Sequence, residues 1–263
     1  MLSRLFSLAA PVLVGLVFLC CWQIICRLEA IPPYIMPAPT DVAVALLENG
    51  GTLFHALYST LVVTLSALLL SVVLGALAAF ALVQNRFIER SLMPYIVLMQ
   101  VTPIVAIAPL IIILVKTTVA ALIICATLIA IFPVISNTLQ GLHSVDPGLR
   151  SFFRMHKAGR LNMLVRLQIP SALPMFLAGV QISSGLALVG AVVAEFVAGT
   201  GGNSAGLAYE ILQASFQMDI PRMFAALFMI TLTGLALYMA TSGLRRLVLR
   251  QWHQSGHSGE KTQ

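Results

Sequence analysis

Charged residues are scarce in this chain of 263 residues: Asp, Glu, Lys and Arg make up 9% of it, whereas hydrophobic residues make up 59%. An ordinary soluble domain carries roughly 25% charged residues. A soluble protein of this composition would expose large apolar patches, which excludes a soluble globular fold. The composition predicts an all-α polytopic membrane protein that forms a single transmembrane domain over residues 1–263.

Residue types that carry chemistry are also few and scattered. The four cysteines lie in or beside apolar runs and have no metal-ligand spacing to a histidine, so they are interpreted as small buried hydrophobic residues. The histidines show no pairing with carboxylates; they are His55, His143, His156, His253 and His257. We therefore expect no catalytic residue, no metal site and no cofactor bound by this chain.

A glycine-lysine phosphate loop is also absent from the sequence, so we do not expect this chain to hydrolyse ATP by itself. If it transports a solute, the energy must come from a partner protein or from an ion gradient.

What the chain does contain is long apolar runs. A spanning helix needs about 20 mostly apolar residues. Six stretches qualify, at roughly residues 8–26, 55–83, 92–114, 118–138, 174–197 and 222–244. Pro103 and Pro109 are expected to kink the third span. Outside the spans, the sequence predicts a short helix that ends near Glu48 and an amphipathic segment from about Leu207 to Phe216.

The distribution of Lys and Arg predicts the orientation of these spans. With the N-terminus inside, twelve of the fifteen basic residues fall on the cytoplasmic side. The other three, Arg27, Lys116 and Arg222, fall on the outer side. Cytoplasmic loops are enriched in Lys and Arg. Both termini, including a polar tail at about residues 250–263, and the central loop are therefore expected in the cytoplasm.

The central loop, about residues 141–173, is the longest polar stretch between the spans. It carries five basic residues, Arg150, Arg154, Lys157, Arg160 and Arg166. The pattern predicts a basic helical segment over residues 150–158, a break near Gly159, and a second short helix that presents Leu161, Leu164 and Val165 outward. Pro170 is expected to end or kink that helix, and Pro174 to suit the start of the next span. Two interpretations remain open: a plug for a groove in a soluble partner, or an ordinary basic loop resting on lipid headgroups.

Polar and small residues inside the spans are further candidates for function. Gln100, Thr102 and Gln181 are polar positions in apolar helices. Glu195 lies at the outer end of the fifth span, where it either serves function or is an interfacial group that reaches water. Four small residues give the fifth span a broad face that we expect to line an interface between two copies of the chain; they are Ser183, Ser184, Gly185 and Gly190.

Three segments carry a resemblance to a known family. Residues 158–196, the IPPYIMPAPTDV loop at residues 31–42 and GGNSAGLAYEI at residues 201–211 together resemble the inner-membrane permeases of binding-protein-dependent ABC importers. The subfamily they resemble serves nitrate, sulfonate, taurine and thiamine-precursor or pyrimidine-like solutes. The resemblance covers about residues 28–250. Aligned on Ile169-Pro170, the glycine of the family's loop falls on Lys157, and its EAA triplet falls on Ser151, Phe152 and Phe153.

The resemblance implies the MetI-like ABC permease fold, with cytoplasmic coupling helices between spans 4 and 5, in a bacterial inner membrane. It also implies three protein partners: a cytoplasmic ABC ATPase that holds ATP and Mg, a periplasmic or lipid-anchored solute-binding protein, and a second copy of the chain. The residues expected at the ATPase contact are Arg154, Lys157, Gly159, Arg160, Leu161, Met163, Leu164, Pro170 and Pro174. Those expected along the translocation path or interface are Gln100, Thr102, Gln181, Ser184, Gly185 and Glu195.

We therefore expect a permease subunit, not an enzyme, that moves a small organic nitrogen- or sulfur-containing solute and binds no nucleic acid. The alternative is a stand-alone secondary transporter driven by an ion gradient. Coupled transporters usually carry intramembrane ionisable residues or repeated broken helices, and here only Glu195 is available. A membrane-embedded enzyme comes third, because clustered His, Asp, Glu or Cys residues are lacking.

Overall fold

The structure is a computed structural model that describes residues 2–199, 201 and 205–250. In those residues, helices joined by short turns and loops make up nearly all of the chain. No strand occurs in those residues. The helices are α1 (Leu2–Leu28), α2 (Pro39–Glu48), α3 (Gly50–Leu82), α4 (Arg86–Val101), α5 (Ile104–Leu114), α6 (Thr118–His143), α7 (Pro147–Met155), α8 (Arg160–Met163), α9 (Ile169–Ala198), α10 (Leu207–Phe216) and α11 (Ile220–Leu249). A π-helical turn, Leu164–Gln168, joins α8 to α9.

Four helical stretches in the described residues are long and apolar enough to cross a membrane: Gly50–Leu82, Thr118–His143, Arg160–Ala198 and Ile220–Leu249. A fifth candidate is the pair α4 and α5, which is bent by 95°. The apolar stretch Val12–Leu28 of α1 is shorter than these. The all-helical membrane class is confirmed, and the count of six spans stays a prediction.

The third predicted span is broken at Thr102-Pro103, because a proline has no backbone N–H and disfavours a helical residue before it. Thr102 is extended, and its Oγ1 donates to the Leu98 carbonyl at 2.7 Å, an acceptor that it shares with its own backbone N–H at 3.0 Å. The expected kink is therefore confirmed at Pro103. At Pro109 the helix is not interrupted, since α5 runs through that residue, and a kink there stays a prediction.

By its internal contacts the chain divides into two compact units, of which the first comprises residues 1–59 and 199–231. Its core is an apolar cluster around Leu53, Leu207 and Met229. Two ion pairs, Arg27 with Asp41 and Arg222 with Glu210, stabilise its polar part. The short helix predicted to end at Glu48 is α2, and the segment predicted from about Leu207 to Phe216 is α10, so both predictions are confirmed.

The second unit comprises residues 60–198 and 232–263, and helices α6 and α9 form its centre. These two helices approach so closely that side chains are excluded at several points. A Cβ added at Gly190 would lie 2.8 Å from the Cα of Ala126, and one added at Gly179 would lie 2.8 Å from the Pro133 carbonyl oxygen. Ser183 Oγ adds a hydrogen bond across the pair to the Ala130 carbonyl at 2.6 Å. Small residues here serve packing within one chain.

Candidate functional site

The central loop folds into an elbow, residues 147–163, made of α7 and α8. Helix α7 begins after Asp146, whose Oδ1 accepts hydrogen bonds from the backbone N–H groups of Gly148 at 2.7 Å and Leu149 at 3.0 Å. This is the side-chain capping that a helix N-terminus requires. The chain then reverses between His156 and Gly159, and α8 starts at Arg160. A helix on each side of a break was predicted, and the structure agrees, although the second is the start of a continuous helical stretch and not a separate short helix.

The reversal centres on Lys157. Its φ is +51°, in the left-handed region where a residue with a Cβ is strained. Gly159 has an ordinary φ of −63° and precedes the first residue of α8. The break therefore lies near Gly159, as predicted, but the residue in the unusual conformation is Lys157, the position on which the family glycine falls in the alignment.

The second half of the loop departs from the prediction at two residues. Leu164 was expected to point outward, yet it is only 7% exposed and packs with Leu142 and Ala172. Pro170 was expected to end or kink the second short helix, yet helical structure continues from Arg160 to Ala198. The cause of both is the π-helical turn. Its wider geometry changes which way the side chains of residues 164–168 face. In a regular α-helix the ring of Pro170 would clash with the carbonyl four residues earlier, and the wider turn relieves that clash. Pro174 likewise lies inside α9.

The exposed tip of the elbow combines apolar and basic side chains. Met155 is 80% exposed and Leu161 is 73% exposed, beside the exposed cations Arg154, Lys157 and Arg160. Met163 is half-buried. From α8 the helix continues through the π turn, where Leu167 is buried, into α9. A force on the tip would therefore act directly on the longest helix of the second unit.

A basic cleft of about 640 Å³ lies between the elbow and the α3–α4 turn. Four arginines line it: Arg86 from the start of α4, Arg150 and Arg154 from α7, and Arg160 from α8. Its other polar lining residues are Gln84, Asn85, His143 and Gln168. Arg150, Arg154 and Arg160 belong to the basic loop predicted from the sequence, whereas Arg86 joins them only through the tertiary fold.

Three of the expected path residues lie together. Gln181, Ser184 and Gly185 of α9 line a cleft of about 390 Å³ with Tyr238 and Arg245 of α11. Arg245 Nη1 donates to Gln181 Oε1 at 3.3 Å. A Cβ added at Gly185 would meet nothing within 4 Å. This set is called the α9–α11 cleft below.

The contribution of α11 to that cleft was missed in the sequence. A signal was present, because Tyr238, Ser242 and Arg245 are spaced four and three residues apart and so share one face of the helix.

Gln100 and Thr102 lie elsewhere. They line a cleft of about 440 Å³ at the α4–α5 break, together with Ile129 of α6 and Leu186 of α9. The expected path residues therefore belong to two different clefts of the second unit.

Glu195 belongs to neither cleft. It is 4% exposed, and its Oε2 accepts a hydrogen bond from Thr60 Oγ1 at 3.1 Å. Of the two readings left open for this carboxylate, an interfacial group that reaches water does not fit such burial. A role along the path stays a prediction.

The four small residues of α9 that were expected to form one face meet two different surroundings. Ser184 and Gly185 border the α9–α11 cleft, as stated above. Ser183 and Gly190 instead pack on α6 of the same chain, so their assignment to an interface between two copies was wrong. Helix packing within one subunit accounts for them.

Histidines do not gather in the described part of the chain. His55, His143 and His156 are exposed, and the expected absence of carboxylate pairing is wrong for His143, whose Nε2 is 2.9 Å from Glu89 Oε1. His253 and His257 of the predicted tail lie outside the described residues. Within those residues, no group of three or more His, Cys, Asp or Glu side chains is arranged to hold a metal ion.

Comparison with known proteins matches residues 71–254 to the family described as "Binding-protein-dependent transport system inner membrane component". A "Probable ABC transporter permease protein" of Haemophilus influenzae is 32% identical over 90% of this chain and 95% of its own. The "Formylaminopyrimidine transport permease protein ThiX" of Halalkalibacterium halodurans is 30% identical over 94% and 98%, respectively. The "Putative aliphatic sulfonates transport permease protein SsuC" of Bacillus subtilis is 29% identical over 83% and 78%.

Among solved structures, the MetNI methionine ABC transporter in an inward-facing conformation contains a chain that matches with a TM-score of 0.65. The two sequences are 17% identical, and the match covers 74% of this chain and 95% of the other. At that identity the likeness shows the fold, and it confirms the expected permease architecture.

Proposed function

Because the chain belongs to the family of binding-protein-dependent transport system inner membrane components, we propose that it forms the membrane path of an ATP-driven importer through the α9–α11 cleft. It acts as a pair of identical subunits in a bacterial inner membrane, with both termini in the cytoplasm. A cytoplasmic ATPase holds ATP and Mg and contacts the elbow, and a solute-binding protein outside the membrane delivers the solute.

The observation that carries the proposal is the division of the elbow and π turn into an exposed side and an anchored side. Met155 and Leu161 expose apolar surface beside cations, whereas Leu164 and Leu167 are buried. Exposed apolar groups flanked by charge suit the groove of a soluble partner. Closure of two ATPases would move the two elbows, and the continuous helix from Arg160 to Ala198 would carry that movement into the membrane.

The α9–α11 cleft supports the choice of path. Its open Gly185 leaves room for a second subunit or for solute, and its polar groups come from Gln181, Ser184 and Arg245. Alternating access requires a surface that opens and closes, and a surface with small residues can do so without displacing bulky side chains. The cleft at the α4–α5 break, with Gln100 and Thr102, borders the same path on its other flank.

The solute is proposed to be a small organic nitrogen- or sulfur-containing compound of the sulfonate, taurine, nitrate or pyrimidine and thiamine-precursor class. Two relatives of this chain are named for a formylaminopyrimidine and for aliphatic sulfonates. The donors of Gln181 and Arg245 suit ring nitrogens, carbonyls and sulfonate oxygens alike. The choice among these solutes rests with the binding protein.

The test replaces Leu161 with Asp and measures co-purification of the ATPase together with solute uptake. Leu161 is exposed, so the variant should fold, whereas a charge forced into an apolar groove costs several kcal/mol. We expect both co-purification and uptake to be lost while the permease accumulates normally in the membrane. Met218→Asp is the matched control, because Met218 is an equally exposed apolar residue in the α10–α11 turn. It should leave co-purification unchanged.

Normal co-purification with Leu161→Asp would remove the elbow from the ATPase contact. Uptake in vesicles that lack the ATPase, and its collapse on adding an uncoupler, would instead support the secondary transporter.

A further inference from the structure

The basic cleft contains cations that have no partner within the described residues. In the described part of the chain, the ion pairs join Arg27, Arg222 and His143 to carboxylates. They leave out the cleft's four arginines, Arg86, Arg150, Arg154 and Arg160. No carboxylate lines the cleft. Four guanidinium groups that converge without an acid repel one another, so the cleft favours a bound anion.

Arg150 gives a second and independent sign of a missing ligand. Its Nε is buried, and the described residues provide no hydrogen-bond partner for it. A buried donor left without an acceptor destabilises the folded protein, and more strongly when the group is charged. Because Arg150 also lines the cleft, an anionic oxygen bound there would supply an acceptor for its guanidinium group.

An apolar groove of about 640 Å³ lies along one face of α4. Its lining includes Arg90, Met93, Pro94, Val97 and Leu98, which follow the i, i+3, i+4, i+7, i+8 spacing of one helix face. The face is roughly 12 Å long at 1.5 Å per residue. Glu89 lines the groove and His143 lines the cleft, and these two side chains are in contact at 2.9 Å. The groove and the cleft therefore meet at this pair.

The geometry points to a binding site for an anionic phospholipid, with its phosphate on the arginines and one acyl chain along α4. Basic pockets at the ends of membrane helices attract anionic headgroups, and a phosphate accepts bidentate hydrogen bonds from arginine. An acidic peptide would satisfy the arginines but would leave the apolar face of α4 uncovered. The inference goes beyond transport: a lipid held here links the elbow to the α3–α4 turn, so the content of anionic lipid would set how firmly the elbow is held.

The test measures lipid retained by the purified full-length chain, using native mass spectrometry with dioleoyl phosphatidylglycerol. Dioleoyl phosphatidylcholine and inorganic phosphate serve as comparison probes. We expect the double variant Arg150→Gln, Arg154→Gln to bind phosphatidylglycerol at least about tenfold more weakly, since two charge-assisted hydrogen bonds are lost and tenfold corresponds to only about 1.4 kcal/mol. Phosphatidylcholine should be retained more weakly by the unaltered protein.

The matched control is the double variant Lys157→Gln, Arg166→Gln. It removes two positive charges from the same loop, at exposed residues that are not part of the cleft's lining. This control should retain phosphatidylglycerol. A second arm, Val97→Gln, places a polar group in the apolar groove and should weaken lipid binding several-fold without changing the binding of inorganic phosphate.

Three results would overturn the inference. Equal retention of phosphatidylglycerol by the two double variants would mean that the cleft does not hold the lipid. Tight binding of inorganic phosphate, together with unchanged lipid binding by Val97→Gln, would make this a site for free anions. Loss of the ATPase from the Arg150→Gln, Arg154→Gln variant with lipid retained would assign the cleft to a protein partner. The lipid measurements need neither ATP nor a partner, so they stand apart from the test of the transport function.

Discussion

Two faces of α9 carry the same kind of residue and meet different surroundings. Gly179 and Gly190, eleven residues apart and so about 20° apart around the helix, both press against the backbone of α6. Gly185 lies on another face, at the α9–α11 cleft, with open space around it. The first face is fixed by packing and the second is free to meet something else. Small residues in one span can thus serve stability on one side and function on the other.

The largest effect is expected when leucine replaces a glycine on each face. Gly190→Leu would force a side chain into the Cα of Ala126 at 2.8 Å, where only a backbone shift can relieve the clash. Its cost should exceed the roughly 1–3 kcal/mol of ordinary overpacking. Gly185→Leu should fold normally and lose uptake. Membrane accumulation and the midpoint of thermal unfolding separate the two, and equal destabilisation by both variants would erase the distinction between the faces.

Crosslinking sharpens the comparison by asking what the open face meets. A cysteine at Gly185, in a cysteine-free background, should form a disulfide between two copies in membranes, and the yield should change when nucleotide and ATPase are added. Gly185 is a better position than Ser184, because Ser184 is almost fully buried. A cysteine at Gly243, which also has open space around it, controls for random collision. Equal crosslinking at both positions would argue against a dedicated interface.

The elbow offers a second comparison, between the strained backbone of Lys157 and the ordinary backbone of Gly159, and the expected effect is smaller. Lys157→Gly should stabilise the protein by about 1 kcal/mol, because a left-handed conformation costs a residue with a Cβ about that much. Gly159→Ala should be nearly neutral, since its φ is ordinary and an added Cβ meets nothing. Thermal unfolding of both variants in one detergent measures the difference. Stabilisation by neither would mean that the loop relaxes at no cost.

The smallest effect concerns two neighbouring serines. Ser183→Ala removes a buried hydrogen bond to α6, and such bonds in membrane proteins contribute about 0.6 kcal/mol on average. Ser184→Ala removes a bond to the Gln181 carbonyl of its own helix and a longer contact, 3.4 Å, with Thr241 Oγ1 of α11, so the stability of the protein should fall by less. Solute uptake should respond in the opposite order. Greater loss of stability from Ser184→Ala would contradict the assignment of the two faces.

Much of the fold could be predicted from the sequence, because membrane spans and turns have distinctive residue patterns. Long apolar runs, the proline at position 103 and the amphipathic pattern of residues 207–216 were each sufficient to predict an element. The two-helix form of the central loop also followed from its pattern of basic and apolar residues.

The facing of residues inside the membrane was not predictable in the same way. Lipid tails are as apolar as a protein core, so hydrophobicity does not say whether Gly190 meets lipid, another subunit or its own chain. Leu164 was misplaced for a different reason. The π turn adds a residue to one turn of the helix, which breaks the 3.6-residue period on which the prediction of an outward face depended. Arg86 and Arg150 meet only through the tertiary fold.

The right-angled break between α4 and α5 makes this part of the molecule sensitive to the thickness of the membrane. At 1.5 Å per residue, the sixteen residues of α4 are about 24 Å long and the eleven residues of α5 about 16 Å long. With a bend of 95° between them, the two axes alone would join ends about 28 Å apart, and the two residues at the break add at most about 7 Å. That reach is close to the roughly 30 Å of a typical hydrocarbon core, and neither half is long enough to cross it alone. If the pair crosses, both halves must tilt, so we expect their tilt, and with it transport, to depend on the chain length of the surrounding lipid.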